Sequence, residues 1–497
     1  MAENSEIFPT PNRFVPVSGE TLERVKGWAL PLVFGLVGVW LAKLFFTAPW
    51  DFALLAAAGV FTLSALENET FLLFVIFLMP LGVQLAGDVP VRDMNVAFHG
   101  FVVAGFFAGR LLRRGVDVRG LLRPAISRAS MLFLCIAVLP TILVKAKLSH
   151  QSLRSGISLA VFVGFYFVIL AWVDSRERLL KVLRALLLST VVTALFAVYQ
   201  IATGGFGSLF LTLYPPDPNN PAGVLEWGGR AASFVGTPIN LAGYLTLLLP
   251  FALGCYLLGR GKWKRLAKWT FGLGVIALFT TQGLGGLLGF LASLVLAIFF
   301  FARTAKRKAA LLGVLCVAVC LMYLFLQVFS PVHTNRELAS DAYIRFALWA
   351  SAWNLFTQSP VLGIGWGNFT NVFGLGDPYF VADKVAAHNL YLQLLAETGV
   401  VGFLAFFYLV VRTWKEAQRQ WRRSENFIDR ALAFGVQGAL LAVLVHGFVD
   451  FLFQDSPQYG TLFWAMLALL VVSGRIVTSE EPAFARNGTG MPQPEEL

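Results

Sequence analysis

Ala387-His-Asn-Leu-Tyr-Leu-Gln-Leu-Leu-Ala-Glu-Thr-Gly-Val-Val-Gly-Phe-Leu404 opens with the polar pair His388-Asn389 and then stays almost wholly apolar as far as Val411. A run of that length crosses the roughly 30 Å hydrocarbon core of a bilayer as one helix. The imidazole therefore stands where water, headgroups and hydrocarbon meet. Histidine is the side chain whose ordinary titration falls near neutral pH, so this position suits proton transfer. It equally suits a side chain that only anchors a helix end.

The rest of the chain extends that reading. Hydrophobic residues make up 57% of the 497 and charged residues 13%, with a mean hydropathy of +0.71, a composition that excludes a soluble globular domain. The expected class is an all-α, polytopic membrane protein with about fourteen (12–14) transmembrane helices and a helical loop domain outside the membrane, counting about 20 apolar residues per span. Spans are expected near 28–47, 51–66, 70–87, 94–112, 130–147, 155–173, 180–202, 238–259, 267–282, 284–302, 308–330, 390–411, 430–453 and 458–474. The close 267–302 pair also reads as one broken or re-entrant element. The chain then divides into a cytoplasmic segment 1–27, a first membrane part 28–237, a second part 238–474 holding an outer loop 330–388, and a disordered cytoplasmic tail 475–497.

Charge orients those spans, because Lys and Arg collect in cytoplasmic loops. With both ends inside, the clusters at Arg110–Arg128, Arg176–Arg184, Arg260–Lys268, Arg303–Lys308 and Arg412–Arg430 all face the cytoplasm. The excess of 39 Lys+Arg over 28 Asp+Glu is thus topological. Its short, separate clusters do not form a nucleic-acid footprint. Few cations remain outside, among them Arg92, Lys145, Lys147, Arg154, Arg230, Arg336, Arg345 and Lys384. No apolar signal segment precedes Trp28, so the first span is expected to direct its own insertion. The four cysteines lie in apolar spans without histidine partners, which points to neither a disulfide framework nor a zinc site. A phosphate-binding GxxxxGK[ST] loop is missing from the cytoplasmic loops, which argues against an ATP-driven pump.

Two outer loops are long enough to form a site. The first, about 203–237, is rich in Pro, Gly and Asn and leads through Arg230-Ala-Ala-Ser-Phe-Val-Gly236-Thr-Pro238-Ile-Asn240 into the next span. The second, about 330–387, holds Asp341-Ala-Tyr343-Ile-Arg345-Phe346-Ala-Leu-Trp349-Ala-Ser-Ala-Trp353-Asn-Leu-Phe356. Aromatic residues every three to four positions suit an amphipathic helix in the interface plane. Ser359-Pro360 ends it, and the turn Gly363-Ile-Gly365-Trp-Gly367 offers backbone amides that can approach an anion closely.

An arginine, an aromatic helix, a proline, a triple-glycine turn and finally His-Asn, in that order, resemble the ligase domain of the O-antigen ligase and O-antigen polymerase superfamily. The resemblance is strongest from Arg230 to Phe453. It implies a membrane glycosyltransferase in the inner membrane, facing the periplasm. Its donor would be an undecaprenyl-pyrophosphate-linked glycan, and its acceptor a lipid A-core sugar, a growing glycan or a protein hydroxyl. Membrane lipids would surround it; no cofactor and no metal are implied.

Chemistry assigns roles within that frame. A guanidinium at Arg345 can stabilise the charge that develops on the leaving pyrophosphate, and neutral His388 can accept the proton of the attacking hydroxyl. Direct displacement would invert the anomeric centre. Arg230, Arg154, Asn389, Tyr343, Trp349, Gly365 and Gly367 are the candidate substrate-binding residues. Glu397 is read either as a partner for an arginine or as a buried polar contact. One departure stands out: superfamily members carry a Ser-Arg-Gly-type turn between two close spans, and Leu284 holds the arginine position here. His446 and Asp450, four residues apart on one expected helix, read as a polar pair or as the proton site of an ion-coupled transporter, the alternative class.

Overall fold

The computed structural model describes residues 50–80, 91–143, 150–203, 230–329, 335–372 and 386–487. The expected span at 28–47, Lys145 and Lys147, and most of the first outer loop lie outside these residues.

Every regular element among the described residues is helical. In chain order they are α1 Trp50–Ala65, α2 Glu69–Phe77, α3 Val91–Arg113, α4 Val118–Leu122, α5 Ala125–Leu143, α6 His150–Trp172, α7 Arg176–Ala202 and α8 Pro238–Leu258. There follow α9 Gly261–Thr280, α10 Leu284–Phe301, α11 Ala305–Phe329, α12 Asn335–Gln358, α13 Phe369–Val372, α14 Leu390–Arg423, α15 Phe427–His446, α16 Leu452–Asp455 and α17 Pro457–Asn487.

Eight of these helices, α3, α6, α7, α8, α10, α14, α15 and α17, contain stretches long and apolar enough to cross a membrane. Eight is a count among the described residues alone; the expected span 28–47 and parts of 70–87 and 130–147 lie outside them. α1 has 16 residues and α2 only 9. Among the described residues α5 contributes the apolar stretch Ala125–Pro140, α9 carries Lys262, Lys264, Arg265 and Lys268 in its first half, and α11 is apolar from Ala309 onward. α9 and α10 are separate helices joined at Thr281–Gly283, rather than one broken element. α17 runs on to Asn487, beyond the 475 boundary set for a disordered tail.

From Leu54 onward the described chain is one unit, and α8 is its axis, buried from Leu241 to Cys255. Small residues let α15 and α10 come into backbone contact with it. A Cβ on Gly435 would lie 2.6 Å from Phe251 Cα, and one on Gly286 would lie 2.5 Å from Ala242 Cβ. In lipid, where helices gain nothing from leaving water, such close approach is a main source of packing energy. Ser293 on α10 closes the seam by donating to the Gly438 carbonyl at 2.8 Å.

The two ends of the bundle differ in chemistry. At one end Arg110 pairs with Glu67 at 3.1 Å, Arg178 with Glu69 at 3.2 Å, and Arg176 with Asp429 at the start of α15. α15 spans roughly 30 Å at 1.5 Å per residue and carries His446 at its far end. The candidate residues of the ligase-like segment gather at that far end.

Candidate active site around the His446–Asp450 turn

α15 stops at His446, seven residues before the end read from hydropathy. Gly447, Phe448 and Val449 turn the chain so that Asp450 comes back under the helix end, its amide donating to the His446 carbonyl at 3.1 Å. His446 and Asp450 therefore meet through a turn rather than along one helix face, with Nε2 of His446 3.4 Å from Oδ2 of Asp450. The other carboxylate oxygen lies 2.9 Å from Nδ1 of His388. That His388–Asp450 pair was not foreseen, because nothing in the spacing of residues 62 positions apart brings them together.

Asp450 sets the tautomer of His388. Burial disfavours its anion, but hydrogen bonds from His388 and then His446, with the attraction of both imidazoles, hold the carboxyl below the usual carboxylate range. The depressed value means that its stabilising contribution is complete above the ordinary range, near pH 4, and is lost only as the pH falls through the folded value. With the carboxylate accepting from Nδ1–H, Nε2 of a neutral His388 carries the free lone pair. His388 is 27% exposed while Asp450 is 8% and His446 3%, so His388 is the member of the group that faces outward.

The backbone holds His388 in place at a conformational cost. Its φ is +46°, in the left-handed region that costs a non-glycine residue about 1 kcal/mol or more. Hydrogen bonds on both sides enforce it. Ala387 N–H donates to the Gln393 side chain at 2.7 Å, and Leu390 N–H to the Gly447 carbonyl at 2.7 Å. Asn389 caps α14 by accepting from Tyr391 and Leu392 amides, both at 3.0 Å. Its own amide group donates to the Phe448 carbonyl at 3.1 Å. Asn389 thus positions the histidine and ties it to the turn.

Arg345 reaches the same turn from α12, donating to the carbonyl of Val449, the neighbour of Asp450. α12 buries Leu348, Ala352 and Leu355, yet leaves Tyr343 and Phe346 64% exposed and Trp353 53% exposed. Trp349 stacks edge-on against Phe346 at 5.4 Å, and its buried indole N–H has no partner among the described residues. The helix therefore presents an aromatic surface beside its arginine, suited to lipid or a sugar face.

Arg230 approaches from a third side. Its Nε donates to the Thr281 carbonyl at 2.8 Å, and the next residue, Ala231, donates its amide to the Thr280 carbonyl at 2.9 Å. Arg230 is thereby fastened to the turn that precedes Leu284, whose side chain is 57% exposed. The following residue touches the centre: a Cβ on Gly285 would lie 2.4 Å from the His446 ring and 2.6 Å from Val449. The position where the superfamily carries its extra arginine thus abuts the His446–Asp450 turn.

The glycine turn has another task. α14 breaks at Gly399, with φ 62° and ψ −170°, which opens the rungs Val400 to Ala396 and Val401 to Glu397. The loop inserts there and satisfies all four groups. Ile364 and Gly365 donate to the Ala396 and Glu397 carbonyls, both at 2.9 Å, while Val400 and Val401 donate to Pro360 and Val361 at 2.9 and 3.3 Å. Gly363 and Gly399 permit the approach, since a Cβ on either would lie within 2.3 Å of opposing backbone. The Glu397 carboxylate, fully buried, accepts from Phe369 N–H at 3.1 Å, from Gln393 at 3.0 Å, from Gln454 and from the Gly367 amide. The amides of Gly365 and Gly367 are thus engaged with Glu397 rather than open to an anion, and the turn acts as a brace. Glu397 is a buried polar hub, with no arginine among these partners. Replacing Glu397 by Leu is expected to destabilise the protein by about 3 kcal/mol or more, because several buried donors lose their acceptor; Glu397→Gln is expected to cost less. A thermal-unfolding assay in detergent checks both.

The structure thus gathers His388, Asn389, Arg345 and, through the 281–285 turn, Arg230 around one loop. Arg154 lies elsewhere, on α6 beside the glycine turn: its neighbours Ser152 and Ser155 hydrogen-bond Trp366 at 2.7 and 3.2 Å. Asp450, Glu397 and Gly285 are the contributors not assigned to the site from the sequence. The described residues contain no cluster of His, Cys, Asp and Glu suited to a metal.

Residues 269–407, from α9 into α14, match the family model described as O-antigen ligase. The chain is also 22% identical over 353 residues to the teichuronic acid biosynthesis protein TuaE of Bacillus subtilis, covering 68% of this chain and 67% of that protein. The chain is a multi-pass helical membrane protein that resembles the O-antigen ligase/polymerase superfamily.

Proposed function

We propose that this protein is a metal-independent, inverting membrane glycosyltransferase that moves a glycan from undecaprenyl pyrophosphate to an acceptor hydroxyl, in the manner of an O-antigen ligase. The observation that carries the reading is the convergence of an outward-facing imidazole and a guanidinium on one turn: His388 bonded to Asp450 and Arg345 bonded to Val449. His388 Nε2 takes the acceptor hydroxyl's proton as the sugar oxygen attacks C1. Asp450, bonded to Nδ1, orients the ring and stabilises the imidazolium that forms. Arg345, with Arg230, meets the negative charge left on the departing pyrophosphate. Tyr343 and Trp349 line the approach for the carrier or its sugar. A polymerase of the same superfamily is the second reading, favoured by a relative named for teichuronic acid biosynthesis.

The decisive experiment combines purified full-length protein with a synthetic undecaprenyl-pyrophosphate glycan and, in separate reactions, a lipid A-core acceptor or more donor. A single capped acceptor supports the ligase, and a ladder of lengthened donors supports the polymerase. Turnover of neither, by protein that is folded and inserted, rejects both.

The segregation of Lys and Arg supports a periplasmic face for the site. With the four native cysteines replaced, a cysteine at Gln358 on α12 is expected to react with an impermeant maleimide in intact spheroplasts. A cysteine at Glu425, between α14 and α15, is expected to react only after permeabilisation. The reverse pattern would invert the orientation and the donor side with it.

A further inference from the structure

At the end of the bundle away from His388, a cavity of about 680 Å³ opens between the start of α5, the later part of α14 and α17. Six cations line it, Arg123, Arg128, Arg412, Lys415, Arg419 and Arg475, against one carboxylate, Glu416. That carboxylate is already taken by Arg419 at 2.9 Å. Arg475 is bonded to the Gly120 carbonyl at 2.8 Å, and Arg128 to the carbonyl of Arg123. Among the described residues, Arg123, Arg412 and Lys415 have no carboxylate partner.

Acids do reach some cations at this end. Arg110, Arg176, Arg178 and Lys181 are each matched to an acid. Like charges gathered in a confined space repel unless an anion joins them, so the unmatched group is built for an anion from outside. The apolar surroundings point to which one. Ile126 and Val471 line the cavity, and the adjoining faces of α5 and α14 leave Leu132, Leu139, Tyr408 and Val411 44–46% exposed. Acyl chains can run along those faces while the phosphate sits among the cations.

We propose that this cavity binds the phosphate headgroup of an anionic membrane phospholipid. Basic pockets between transmembrane helices hold such headgroups in other membrane proteins. The site is independent of the catalytic reading, since it lies more than about 30 Å from His388 along α14 at 1.5 Å per residue. Gly474 keeps its wall open: a Cβ there would make only ordinary contacts, 3.6 Å to Glu416 and 3.9 Å to Gln420, but a longer side chain at that position on the cavity wall would occupy headgroup space.

Native mass spectrometry of the full-length protein in neutral detergent tests this, with titration by phosphatidylglycerol, cardiolipin or phosphatidylcholine. The wild type is expected to hold the two anionic lipids about tenfold more tightly than phosphatidylcholine, or better. Arg123→Glu with Lys415→Glu is expected to remove that preference, and Gly474→Leu to weaken binding with the charge unchanged. Lys306→Glu with Arg307→Glu, the same charge change elsewhere at exposed positions, is expected to leave it within about twofold, as a screened surface charge should. Three results overturn the proposal. The first is equal binding by wild type and both cavity variants. The second is complete competition by millimolar inorganic phosphate, which makes the site one for a soluble anion. The third is lipid binding that appears only after removal of 479–497, which makes the chain's own acidic tail the occupant.

Discussion

His388→Ala and Arg345→Ala are each expected to lower glycan transfer by about 10²-fold or more, the size typical of losing a general base or an oriented positive charge. A companion variant separates chemistry from architecture. Because His388 sits at φ +46°, glycine adopts its backbone without strain. His388→Gly is therefore expected to be more stable than His388→Ala, since both lose the bond to Asp450 and only glycine relieves the strain, while transferring as poorly as the alanine variant. Arg345→Lys is expected to recover only part of the activity, since an ammonium lacks the bidentate fork. Asp450→Asn should keep the fold yet slow transfer, because a neutral amide neither selects the Nδ1–H tautomer as firmly nor stabilises the imidazolium. Near-normal transfer by a well-inserted His388→Ala protein would remove the base assignment.

Arg230→Ala is expected to abolish transfer, with the carrier site losing a charge that Leu284 does not supply. The geometry makes a rescue specific. Arg230 is held on the Thr281 carbonyl, three residues before an exposed Leu284, so Leu284→Arg in the Arg230→Ala background places a guanidinium beside the same turn. Partial recovery of transfer at unchanged membrane abundance is the expected result. If Arg230 only fastens the 230–232 segment to the end of α9, the single variant loses abundance and the second substitution restores nothing. Quantifying transfer and inserted protein for both variants decides between the two.

The fold class was legible because hydrocarbon imposes a length and a composition that any sequence reveals. Which apolar stretches cross is less legible, since hydropathy does not distinguish a crossing helix from one such as α2, which is apolar but only 9 residues long. His388, Asn389, Arg345 and Arg230 were legible as polar residues at helix mouths and in outer loops. Their meeting point was not. Asp450 is read most naturally with His446, its neighbour in sequence, and only the end of α15 at His446 turns it toward His388. The glycine triplet was legible as unusual backbone, all three residues having positive φ. Its function was misjudged, because the groups that claim its amides sit on a helix that looks continuous in sequence.

That interrupted helix has a consequence for biogenesis. The two opened rungs of α14 leave two amides and two carbonyls that hydrocarbon would penalise by several kcal/mol each, and among the described residues their partners are all in 360–365. The ribosome makes that segment first, so it stands ready when α14 leaves the translocon. α14 is then completed on a template rather than inserted as a finished cylinder. Transplanting it alone into another membrane protein would carry the defect without its remedy, whereas a graft running from α12 through α14 would carry both.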